Sequence, residues 1–311
     1  MLPILAPRKV QKLTVRALLP PSSLPSFLPS FQAKVVASTV GPFARYGTLL
    51  LSLCAENGVD YCDITGETNW AREMIAKYDD IARDRGARVV CFCGHDSIPW
   101  DLSTYMLAKK LKTEAGESLA SVDFYDDIDS APSGGTLETA FGIMFGKEKG
   151  MKFSEQKKLG YDALMKASDG SKSAHALKAR NVGLTVKPSS VKSDPYRSFF
   201  FMAPVNANTV KRSNALNGYG EAVVYCEGQS FKSFLGAFYF LFTTVLYGLA
   251  VAVGPVRNFM RTFYLPKPGQ GPSEEQMNKG YLKVFGVAKG TAGTTVKSTM
   301  SFSVDPGYKV S

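Results

Sequence analysis

The 311-residue chain is long enough for one large domain or two ordinary ones, and its 45% hydrophobic content can fill a sizeable core. Its formal charge of +10 admits an anionic partner, but the basic residues are scattered and never form a dense block interleaved with aromatics, which argues against nucleic acid. Two histidines and no C-x-x-C pair argue against a metal centre, so Cys54, Cys62, Cys91, Cys93 and Cys226 read as buried thiols in a reducing compartment.

Residues 1–34 hold six prolines and no acidic side chain, with Arg8, Lys9, Lys12 and Arg16 basic. They read as an unstructured Pro-rich leader, although the composition also suits an organellar transit segment. Residues 34–40 read as a short, largely buried strand that Gly41-Pro42 ends. A helix is expected over 46–57, with Leu49, Leu50, Leu53 and Cys54 on its apolar face and Gly58 as its stop. Residues 59–64 follow as a strand. A long helix over 70–85 then carries Met74, Tyr78, Ile81 and Ala82 on one face, and Gly86 ends it. Arg83 and Arg85 suit the negative end of that helix. Residues 88–93 read as a third strand, with Cys91 and Cys93 on one side of it.

Residues 35–93 therefore have the β-α-β-α-β rhythm of a parallel sheet, and 35–111 read as the C-terminal half of a Rossmann-like domain. Ligands bind such sheets beyond the carboxyl ends of the strands, where VGPFARYG, DITGE and CGHDSIPWDL converge. No glycine-rich phosphate loop precedes the first strand. The two other glycine clusters, GLAVAVGP and GQGPSEE, lack a preceding strand.

Residues 112–311 read as a mostly antiparallel α+β second domain. The segments ESLASVDFYDDID, SFFFMAPVNA, GEAVVYCEG, GYLKVFGVAKG and GTTVKSTMSFSV are strand-like. SGGTLETAFGIMFG reads as a glycine turn into a helix, and Ser273 with Gln276 forms a capping box. No charged residue occurs over 233–256. As a helix that stretch would be about 36 Å long, enough to span a hydrocarbon core of about 30 Å. The reading favours an inserted membrane-associating segment over a wholly buried core helix.

Taken in order, VGPFARYG, CAENGVDYCDITGE, GHDSIPWDL, SGGT, VKRS, the apolar stretch, GPSEEQ and DPGY resemble the saccharopine dehydrogenase-like oxidoreductases, a family that includes trans-acting enoyl reductases. The resemblance runs from about Val35 to the C-terminus. It implies NAD(P)-dependent hydride transfer on a lipid-like or otherwise hydrophobic small molecule. Gly41, Pro42, Tyr46 and Gly47 would then bind the cofactor, and Asp96, Ser97 and Asp101 would face the substrate as catalytic residues. Read from sequence alone, these residues could equally supply loop geometry, an Asx-turn and a helix cap. His95 stands where the family usually has an aromatic residue.

The resemblance further implies that the first half of the cofactor fold and the extreme C-terminus lie outside this chain. The first strand would then expose an edge or be covered by the leader. It also places the strands flanking 233–256 in one sheet, so the apolar stretch is expected to enter one leaflet and return, or to lie in the interface. The expected location is an endoplasmic reticulum or lipid-droplet surface facing the cytosol, with a mitochondrial one as the alternative. A homodimer through the second domain is expected. The rival reading is a non-catalytic, membrane- or lipid-droplet-associated protein that no longer binds cofactor.

Overall fold

The computed structural model describes residues 33–130, 132–145, 150, 158, 160–267 and 270–310. The leader, 1–34, lies almost wholly outside them. In the described part, short loops and alternating strands and helices give a parallel three-stranded sheet in the order β1-β2-β3: β1 (Val35–Ser38), β2 (Asp60–Asp63) and β3 (Val89–Val90). Val36 pairs with Tyr61, and Cys62 with Val90. Between the strands run α1 (Phe43–Tyr46), α2 (Thr48–Glu56) and α3 (Thr68–Arg85). Phe43, Leu51, Leu53, Cys54, Tyr61, Trp70 and Met74 pack into one small core.

Three expectations need correction here. The first strand is not largely buried. Val35 is 58% exposed, and β1 is the outer strand of its sheet among the described residues. The helix over 46–57 breaks at Gly47, because α1 has already begun at Phe43. The third strand stops at Val90: Phe92 sits at φ 64°, outside any extended conformation, so Cys91 and Cys93 are not neighbours on a strand face. Gly86, at φ 72°, ends α3 in the left-handed conformation as expected, but Ile81 is exposed. All five cysteines are free; Cys54 is buried and the others are partly buried.

α4 (Ile98–Lys110) leads from the small sheet onto a larger, mostly antiparallel one. Its strands are β4 (Leu119–Asp129), β5 (Ala176–Ala179), β6 (Lys187–Pro188), β7 (Tyr196–Ser198), β8 (Ala222–Phe231), β9 (Tyr281–Gly290) and β10 (Thr295–Phe302). The order is β10-β9-β4-β8-β7-β6, with β5 also on β8; only β4–β8 and β5–β8 are parallel. α5 (Gly134–Phe145) follows β4, and α6 (Ala203–Asn217) precedes β8. The main core sits between this sheet and α4 with α6, where Trp100, Leu107, Phe124, Val210, Tyr225 and Val284 are buried. At Gly286 a Cβ would come within 2.8 Å of the Phe124 ring, so the glycine lets that ring and Leu107 approach the backbone. The segment SFFFMAPVNA is not a strand. β7 ends at Ser198, and Pro204 sits in the first turn of α6, where its missing N–H has no cost.

The apolar stretch forms α7 (Phe234–Ala252), and α8 (Gly254–Phe263) follows with Pro255 in its first turn. The core-helix alternative fails: only 11% of the α7 window is buried. By length and composition α7 is the one helix among the described residues apolar enough to cross a membrane. Its flanking strands share one sheet. Gln229 at the end of β8 pairs with Asp126, and Tyr281 at the start of β9 pairs with Asp129. The chain therefore leaves and re-enters the sheet at the same end of β4. Beyond α8, Ser273 and Gln276 cap α9 (Glu274–Lys279) reciprocally.

Candidate functional site

The carboxyl ends of β1, β2 and β3 deliver three loops to one edge, as their parallel pairing requires. Glu67 ties the first loop to the second. Its Oε1 accepts the Phe43 N–H at 2.6 Å and its Oε2 the Ala44 N–H at 2.9 Å. Asp63 ties the second to the third, accepting from the Thr65 N–H at 3.1 Å and the Phe92 N–H at 3.3 Å through Oδ1. Burial pushes the Asp63 carboxyl up to about 6 despite these donors. A Cβ on Gly94 would lie 3.2 Å from that of Ile64, so loops two and three are in contact.

Two distant segments complete the rim. Thr139 on α5 stands beside Gly41, its Oγ1 3.6 Å from where a Cβ would be. The C-terminal segment 305–308 folds over the third loop. A Cβ on Gly307 would fall 2.3 Å from the His95 ring, so only glycine fits there. The Tyr308 hydroxyl accepts from the Ser133 N–H at 3.0 Å and shares a hydrogen bond with Thr136 Oγ1 at 3.1 Å. Asp305 is buried, accepting from Ser130 Oγ at 2.8 Å and from the Gly307 N–H at 2.9 Å.

Within this rim His95 Nε2 lies 2.9 Å from Asp96 Oδ1. Burial alone would lower the imidazole pKa. The hydrogen bond and charge of Asp96, with the charge of Asp305, outweigh it and hold the pKa above its ordinary value. The pair can thus hold a proton at the mouth of the site.

The residues singled out in the sequence do not all meet. Gly41 and Pro42 lie at the rim, Pro42 as the residue that caps α1. Tyr46 is 53% exposed, with the Arg45 guanidinium 5.1 Å from its ring centroid. Gly47 lies inside the small core: a Cβ there would be 2.9 Å from both the Phe43 carbonyl and the Trp70 ring. Asp96 pairs with His95, and Ser97 is buried at the start of α4 without a capping bond. Asp101 lines a cavity of about 330 Å³ beside Tyr78, Cys91, Arg212 and Ser213, which Cys93 and Ile98 of the third loop also border. Burial pushes its carboxyl up to about 6, and Ser213 partly offsets that. Asp96, Ser97 and Asp101 therefore do not form one cluster.

Sequence reasoning missed Glu67 as the tie between loops, although Glu67 lay inside a quoted motif. It also missed a buried polar group under the large sheet. There Trp100 Nε1 donates to Asp126 Oδ1 at 2.8 Å, and Asn206 Nδ2 donates to Glu227 Oε1 at 2.8 Å. No local signal marks these pairs, since their members lie 26 and 21 residues apart. Among the described residues no group of three His, Cys, Asp or Glu side chains could hold a metal ion.

A dinucleotide needs a nicotinamide rim and a cradle of backbone N–H groups for its pyrophosphate. The loop edge suits the first. For the second, the Phe43 and Ala44 amides are taken by Glu67, and that of Thr136 by Ser133 Oγ. The described residues at this edge do not fit a pyrophosphate.

No family model matches the chain. It is 32% identical over 312 residues to a Mycobacterium tuberculosis protein provisionally named a trans-acting enoyl reductase, covering 93% of this chain and 71% of that one. It is 31% identical over 295 residues to the trans-acting enoyl reductase of Mycobacterium bovis, covering 89% and 68%. Among solved structures it is loosely similar to an amine dehydrogenase from Mycobacterium smegmatis, at 11% identity, 91% and 70% coverage and a TM-score of 0.37.

Proposed function

The chain belongs to the trans-acting enoyl reductase family of oxidoreductases, and from that premise we propose that it reduces the carbon–carbon double bond of an unsaturated, lipid-like acyl substrate. The wider grouping with saccharopine dehydrogenase-like oxidoreductases is part of the same proposal. In a reaction of this class the hydride would come from a nicotinamide cofactor, NADH or NADPH, and the described residues of this chain do not supply the cradle for its pyrophosphate.

The observation that carries this reading is the convergence on one sheet edge of the Gly41, Ile64 and Gly94 loops, α5 and the 305–308 segment around His95 and Asp96. Reducing an enoyl group consumes one proton in addition to the hydride. His95, held by Asp96 with its pKa raised, would supply that proton. Asp96 would act through His95 as a positioning residue. Gly41 and Pro42 would shape the rim, and Tyr46 would offer an exposed ring beside it. The proposal gives Asp101, which lines the cavity beside Arg212, no part in this proton transfer.

The test measures binding of a long-chain trans-2-enoyl thioester to the purified chain by calorimetry and follows the His95 imidazole across pH by NMR. The expected result is saturable binding, with His95 titrating above the ordinary imidazole range and shifting when the thioester binds, and with His95→Asn losing that titration while binding persists. Absence of thioester binding, or binding that leaves the His95 titration unmoved, would overturn the proposal.

A further inference from the structure

Among the described residues, a large apolar surface is left uncovered by the protein's own packing. On α7, Leu235, Phe238, Tyr239, Phe242, Leu246 and Leu249 are exposed, each by half or more. The rings of Phe234, Phe238 and Phe242 stack along one side of the helix at centroid spacings of 6.2 and 6.5 Å. Thr243 turns its hydroxyl back onto the carbonyls of Tyr239 and Phe240, so it offers nothing outward to hydrogen-bond.

A helix on a water-facing surface buries its apolar stripe and wets its polar one. α8 leaves its apolar stripe unburied, and its two arginines reach back to protein groups although Arg261 is itself exposed. Arg257 Nη1 donates to the Val251 carbonyl at 2.9 Å, and its guanidinium sits 4.1 Å from the Phe145 ring centroid. Arg261 pairs with Glu138 on α5. The apolar side, Phe259 and Phe263, faces out at 54% and 70% exposure.

The first half of α7 is held against the large sheet: Phe234 packs on Tyr196 of β7 and Phe240 on Phe231 of β8, at 5.8 and 5.2 Å between ring centroids, and Ala237 is buried. Val251, near the far end, is buried as well. The excursion starts and ends at one end of β4, so neither flanking strand can be moved across a membrane without tearing the β8–β4–β9 pairing. No acidic residue lies between Glu227 and Glu274, and exposed Lys232 and Lys267 stand at the two mouths of the excursion.

We propose that α7 and α8 form a monotopic docking face that lies in one leaflet of an anionic bilayer, with the exposed aromatics among the acyl chains and Lys232 and Lys267 at the headgroups. A protein partner would be expected to meet a polar, hydrogen-bonding rim around an apolar centre. The outward face of α7 offers little beyond tyrosine hydroxyls, which suit the headgroup boundary. The absence of acidic residues supplies the charge complementarity to anionic lipid.

The test floats the purified full chain with vesicles of phosphatidylcholine alone or with about a third phosphatidylserine. Binding is expected to be roughly thirty-fold tighter to the anionic vesicles from the two lysines. Phe242→Trp and Phe259→Trp should both be quenched by brominated acyl chains. Lys232→Cys and Gly271→Cys, added one at a time, should both gain label from an impermeant maleimide outside sealed vesicles. Phe238→Glu with Phe242→Glu should abolish flotation, and since both side chains are exposed the fold should survive. Failure to bind anionic vesicles, unquenched tryptophans, or protection of one added cysteine but not the other would overturn the proposal. So would a dimer that the double variant converts to monomer with flotation unchanged, which would make a second copy of the chain the occupant.

Discussion

The indole N–H of Trp100 reaches Asp126 Oδ1 at 2.8 Å, and both side chains are fully buried. Trp100 stands in the first turn of α4, directly after the loop that carries His95 and Asp96; Asp126 stands on β4 in the middle of the large sheet. The bond therefore locks the third rim loop onto the sheet. Asp126 also neighbours Glu227 on β8, whose oxygens accept from Asn206 and Tyr225. Burial pushes Asp126 up to about 7 and Glu227 well above its ordinary range, so the native protein holds protons here that the unfolded chain releases near pH 4.

That arrangement sets a pH dependence. A raised carboxyl pKa contributes stability that is present below the unfolded pKa and lost as pH rises through the folded one. Between about pH 4 and about pH 7 the pair should make the protein less stable with rising pH, by up to about 1.4 kcal/mol per unit for each proton involved. Asp126→Asn keeps an acceptor for Trp100 and should flatten that slope. Urea unfolding at a series of pH values measures it; an unchanged slope in the variant would count against the proton being held there.

Glu67 should be the tie that orders the first rim loop. Glu67→Ala leaves the Phe43 and Ala44 N–H groups without their acceptor, at a cost of about 1–3 kcal/mol. Amide hydrogen exchange should accelerate at those two residues and leave the large sheet protected. Exchange that stays slow at both would show that Glu67 does not hold the loop.

Gly47 should behave as a packing residue. A methyl there meets a backbone carbonyl and the Trp70 ring at 2.9 Å, so Gly47→Ala should destabilise by about 1–3 kcal/mol. Urea unfolding measures the loss. Unchanged stability in the variant would contradict the packing role.

Much of this fold was legible because its signals are local. Alternating apolar residues marked β4, β8, β9 and β10, and Gly86 and Ser273 marked the ends of helices. The first strand misled because its small and β-branched residues suit a buried strand equally well, whereas its burial depends on what lies beside it. In SFFFMAPVNA the aromatic run argued for strand over a helix start that only Pro204 signalled. The loop convergence could be read from β-α-β order alone. The split between Asp96 and Asp101 could not, because it depends on how α4 turns between the two sheets. The Asp126 and Glu227 neighbourhood was hidden for a related reason: it exists only once β4 and β8, about a hundred residues apart, lie side by side.

The measurement closest to the central claim, that five separated segments form one substrate site, is hydrogen exchange of the full chain with and without a long-chain trans-2-enoyl thioester. The account predicts new protection together at the Gly41, Ile64 and Gly94 loops, at the start of α5 and at 305–308. Protection confined to the cavity beside Asp101 and Arg212, or absent from those loops at saturating ligand, would contradict it.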